Sequence, residues 1–97
     1  MKRSILNYKD LEGNHIKLLY KQKTDFPGNP TDIHYLGYLK IYENKELYNS
    51  HESILDFSEN YILSLKEALQ QCVEDKLSVQ ELDFKLEHLL ETWQLMQ

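Results

Sequence analysis

The side chains that could do chemistry are four histidines, one cysteine, sixteen carboxylates and seven tyrosines. His15, His34, His51 and His88 stand 19, 17 and 37 residues apart. None shares a helix face with another at i,i+4, the spacing that offers two imidazole nitrogens to one metal. Asp10, Glu12 and Asn14 present alternate oxygens, but the run lacks the length of a calcium loop and its closing bidentate glutamate, so it reads as turn chemistry. Gly13, Gly28 and Gly37 are scattered and form no phosphate loop, and no serine occupies a nucleophile elbow. Cys72, the single cysteine, has no partner for an internal disulfide and sits among apolar neighbours, which predicts a small core residue in a reducing cytoplasm. No cofactor or metal is expected. An enzyme would have to bring histidine and carboxylate together in space, with His34 or His15 beside an acid.

The pattern that stands out is acidic. In the last third of the chain Asp83, Glu87 and Glu91 follow one another at i,i+4, where like charges cost a helix roughly 0.2 to 0.5 kcal/mol per pair. No Lys or Arg shares that face, whereas Glu81 and Lys85 on the opposite flank form a supporting pair. Phe84 and Leu95 project away from the apolar stripe of the same helix, with His88 and Glu91 between them. Two readings stay open. In one the acids are a solvated face and Phe84 is covered by a loop or terminus. In the other Asp83, Phe84, Glu87, His88, Glu91 and Leu95 form a partner site, its apolar anchors ringed by carboxylates that meet a basic surface. Glu52, Asp56, Glu59, Glu67 and Glu74, placed on a first helix, would extend it. Tyr35, Tyr38, Tyr42 and Tyr48 crowd into one stretch, which suits either an interface or a half-wet sheet face.

The elements that must position these groups follow from periodicity. Ser4–Asp10 and His15–Lys23 are two β-type runs around a turn at Leu11–Asn14, and Ile16, Leu18 and Tyr20 alternate with Lys17, Leu19 and Lys21. Two prolines and a glycine make Thr24–Thr31 a loop. Ile33–Glu43 is the expected central strand, with Gly37, Leu39 and Ile41 on one face and Tyr38, Lys40 and Tyr42 on the other; Gly37 predicts a bulge or a close backbone approach. Asn44-Lys45 turns the chain into a short strand at Glu46–Tyr48. A first helix is expected over Asn49–Asp75, its start at Asn49, Ser53 or Ser58. The stripe of that helix runs through Ile54, Phe57, Tyr61, Ile62, Leu65, Ala68, Leu69, Cys72 and Val73. Ser78 with Glu81 is a capping box opening a second helix, whose stripe is Val79, Leu82, Leu86, Leu89, Trp93 and Met96. With so short a connection the two helices form a hairpin on the sheet. The expectation is one α+β domain over residues 1–97: an antiparallel three- to four-stranded sheet packed against a C-terminal α-helical hairpin.

Composition agrees with a single folded domain: 97 residues, 41% hydrophobic and 28% charged, enough for one modest core. Eleven basic against sixteen acidic residues leave −5, which opposes non-specific nucleic-acid binding. Residues 1–45 sum to +3 and residues 46–97 to −8. No run is long enough to cross a bilayer, and Ile5-Leu6 after Lys2-Arg3 is too short for a signal peptide.

The layout resembles the small acidic immunity proteins of bacterial contact-dependent inhibition and other polymorphic toxin systems. What carries the resemblance is the order of a meandering sheet with HYLGYLKIYE as its main strand, then ESILDF, then acidic helices. The resemblance implies a cytoplasmic, monomeric, non-enzymatic protein that binds a cognate toxin domain, often covering the basic cleft of a nuclease. No functional residue is carried over from the family. Other inhibitory modules, such as a phage-type DNA mimic, and a homo-oligomeric domain joined through Phe84 and Leu95 fit the same acidity.

Overall fold

The computed structural model describes residues 2–22, 35–55 and 59–95. Four strands, β1 (Lys2–Lys9), β2 (His15–Gln22), β3 (Tyr35–Glu43) and β4 (Glu46–Leu55), are followed by α1 (Glu59–Glu74) and α2 (Val79–Leu95). The strands form one antiparallel sheet in sequence order, β1-β2-β3-β4. Both helices pack on the same side, α1 against β1 and α2 against β3 and β4. This is the α+β architecture expected from the periodicities.

Alternation explains the layering. Ile16, Leu18 and Tyr20 of β2 and Leu39 and Ile41 of β3 are buried under the helices. They meet Ile62, Leu65, Leu69 and Cys72 of α1 and Val79, Leu82, Leu86 and Leu90 of α2 in one cluster. At roughly 1.5 to 3 kcal/mol for each large side chain removed from water, this cluster is the main stabilising term. In α2 Leu90 is buried and Leu89 only half so, and Ala68 of α1 is exposed. The buried stripes are thus shifted slightly from the expected ones. Gly37 is a close approach, as its place in the strand suggested: a Cβ there would run into the Tyr20 ring.

The turns are built from local hydrogen bonds. Gly13 takes the positive φ at the β1–β2 turn, and Asn44 and Lys45 both take it between β3 and β4, as a two-residue hairpin requires. The end of α1 is less obvious from composition. Lys76 adopts φ 52°, its N–H donates to the Val73 carbonyl, and the Leu77 N–H donates to that of Cys72. That is a Schellman cap with lysine where glycine is usual. Ser78 opens α2 as expected, accepting from the Glu81 N–H and donating to its carboxylate.

One boundary is corrected. Asn49–Leu55 is strand, not the start of a helix, so neither Asn49 nor Ser53 is a cap and Ile54 does not belong to a helical stripe. Ser58, Asp56, Phe57 and the loop at Thr24–Thr31 lie outside the described residues. The reason is tertiary: β3 offers hydrogen-bonding groups along its full length, and pairing with them from Leu55 back to Glu46 satisfies more backbone than an isolated helical turn does.

Candidate interaction surface

The bulge in β4 decides where its polar side chains go. Tyr42 pairs with Leu47 but Ile41 pairs with Asn49, leaving Tyr48 as the extra residue. A bulge of this kind inverts the alternation beyond it. Leu47 therefore shares the open face of the sheet with Tyr42, whereas Asn49 and His51 turn under α2 beside Ile41 and Leu39. There they meet Asp83: the Asn49 amide donates to both carboxylate oxygens at 3.1 Å, and His51 Nε2 lies 2.7 Å from Oδ1. The pair is mostly buried, with side-chain exposures of 16% and 18%. Asp83, the first acid of the stripe, is thus matched from within the chain by a histidine and an amide rather than by a lysine. Its role is to latch α2 to β4.

The rest of the stripe differs. Glu87, His88 and Glu91 are exposed, and among the described residues neither glutamate has an ion-pair partner, the His51–Asp83 contact being the one such pair. Phe84 is 72% exposed on the same outward side, not covered as the first reading had it. Leu95 ends α2, and its side chain is not among those described. Glu52, expected on the first helix, instead faces Tyr38 on the open side of the sheet and cannot extend this surface. Glu67 and Glu74 of α1 are exposed.

Other candidate groups serve the fold. Asp10 accepts from the backbone of Glu12 and Asn14 and from the Asn14 amide. Burial would raise its pKa, but these hydrogen bonds outweigh it and hold the carboxyl below its ordinary value. Its oxygens close the β1–β2 turn, the turn chemistry expected of this run. The Tyr8 hydroxyl donates to the Leu77 carbonyl, tying β1 to the helical connection, and burial pushes its pKa up. Burial also raises the Cys72 thiol, which sits in the core as its neighbours suggested. His15 contacts Asn7 and lines a cleft of about 310 Å³ with Lys17, Leu19, Tyr42 and Lys45, beside lysines and no acid. His34 lies outside the described residues. Among the described residues the histidine that meets an acid is His51, and its side-chain hydrogen bonds run to Asn49 and Asp83.

Against family models, curated proteins and solved structures alike, the chain gives no match.

Proposed function

We propose that this protein is a non-enzymatic binding module of the immunity type, which docks the outward face of α2 on a basic surface of a cognate toxin domain. The observation that carries the reading is Phe84, 72% exposed on a helix whose opposite side is fully engaged in the core. Glu87 and Glu91, which have no ion-pair partner among the described residues, stand beside it. An aromatic anchor gains most when it leaves water for a pocket, and surrounding carboxylates steer a cationic partner and set its register. The like-charge cost between Glu87 and Glu91 is relieved when positive groups arrive. Asp83 contributes indirectly, by fixing the helix.

The test is growth rescue. Coexpressed with the toxin domain encoded directly upstream, the protein restores growth, and Phe84→Ala combined with Glu87→Lys and Glu91→Lys abolishes rescue while stability stays within about 0.5 kcal/mol. Undiminished rescue by that triple variant, or a neighbouring gene that encodes no toxin, defeats the proposal.

A further inference from the structure

The open face of the sheet, on the far side from the helices, has a different chemistry. Register places Lys9 on β1, His15, Lys17, Leu19 and Lys21 on β2, and Tyr38, Lys40 and Tyr42 on β3 on this one face. Lys17 lies directly across from Tyr42 and Lys21 across from Tyr38. Lys40 stands between the tyrosines, its ammonium 5.6 Å from the Tyr38 ring centre. The result is a checkerboard of cations and rings. Among the described residues the face holds one carboxylate, Glu52 on the edge strand, and none of the four lysines has a carboxylate within ion-pair distance.

We infer that this face binds single-stranded nucleic acid, with bases against Tyr38 and Tyr42 and phosphates on the lysines between and beside them. A flexible polyanion of planar rings needs both features at once, cations to follow the backbone and aromatic surfaces to stack on. The two tyrosines are four residues apart on one strand, about 13 Å at 3.3 Å per residue. The cleft of about 310 Å³ beside Tyr42 adds a seat: Tyr42 and Leu19 give it apolar walls, while Lys17, Lys45 and His15 surround it with donors. Its size is at the low end of ligand pockets, roughly 300 to 1,000 Å³. An acidic protein surface would use the cations equally, whereas rings repeated along one strand between them suit a chain of bases, each with a face to stack.

The net charge of −5, which opposes non-specific binding to the molecule as a whole, weighs little at this face. The carboxylates of α2 lie beyond the sheet and a helix about 10 Å across, and exposed charges are screened over about 8 Å at physiological salt. A strand approaching the open face meets the lysines first.

The test is fluorescence anisotropy with a labelled oligouridylate of about twelve nucleotides, within the span one small domain covers. Binding should weaken with salt at a slope of about −3, from four lysines at about −0.7 each. Tyr42→Ala and Tyr38→Ala should each weaken it roughly tenfold, whereas Tyr42→Phe, which keeps the ring, should not. If an alanine variant misfolds by thermal melting, Tyr42→Phe and Lys17→Gln with Lys40→Gln decide, the latter pair lowering the slope by about 1.4. Phe84→Ala on the opposite side leaves oligonucleotide affinity unchanged, so failure here and failure of the α2 docking reading are told apart. Absence of binding at low salt overturns the inference. So does equal binding of heparin with both tyrosine variants unaffected, which would mark a face for polyanions at large, acidic proteins included. Competition by free uridine monophosphate as strong as by the oligomer would reduce the face to a mononucleotide seat and equally overturn it.

Discussion

The two outward surfaces of this molecule are built on opposite principles. On the sheet the two central strands are held by ladder hydrogen bonds on both sides, and their Lys17, Leu19, Tyr38, Lys40 and Tyr42 are all half-buried. On the outward side of α2, Phe84, Glu87, His88 and Glu91 project into water. The first surface is rigid and costly to alter; the second is free of structural duty except at Asp83. A charge asymmetry along the chain, +3 then −8, becomes an asymmetry across it, because the first half supplies the open sheet face and the second half the helical layer. Proteins so divided can present both signs to different partners without either surface cancelling the other.

Substitutions that break or sharpen this contrast follow in order of size. Gly37→Ala should destabilise most, by about 1 to 3 kcal/mol in urea unfolding, because its Cβ would overlap the buried Tyr20 ring and overpacking forces both strands apart. A variant as stable as the wild type would show that the sheet yields more than its register suggests. Next, Asp83→Ala should cost about 1 to 2 kcal/mol by leaving the partly exposed His51 and Asn49 without their partner. Glu87→Gln with Glu91→Gln should change stability by no more than a few tenths, in the stabilising direction, since a like-charge pair disappears. Equal losses from the two experiments would erase the distinction drawn within the stripe.

The smallest effect is carried by pH. Asp10 titrates below its ordinary value when folded, so its hydrogen bonds contribute fully above the unfolded carboxylate pKa of about 3.9. That contribution is lost as pH falls through the depressed folded value. Asp10→Asn should flatten the acid limb of a melting-temperature profile, and an unchanged limb would assign the turn's stability elsewhere.

Much of this was legible in the chain. Period-two alternation at Ile16, Leu18 and Tyr20 and at Gly37, Leu39 and Ile41 named the buried sheet face correctly, and Ser78 with Glu81 named the start of α2. The error at Asn49–Leu55 has a specific cause: Ile54, Phe57 and Tyr61 happen to continue the spacing of α1 backwards, while the strand there is polar and lies on an edge. Its identity comes from β3, not from its own composition. The stop at Lys76 was equally hidden, since a lysine in left-handed conformation carries no compositional mark. Of the candidate site residues, Glu87, His88, Glu91 and Phe84 are exposed as a partner surface requires, while Asp83 is occupied at home.

By itself, then, the order of residues determined which faces are apolar, where the tight turns fall and how charge divides between the halves, because these depend on neighbours within a few positions. Only the tertiary structure decided that β4 bulges at Tyr48, that Asn49 and His51 consequently meet Asp83, and that the lysines of three strands gather with two tyrosines on one face. Each of these depends on register between segments distant in sequence, and a shift of one residue would send every side chain to the other side.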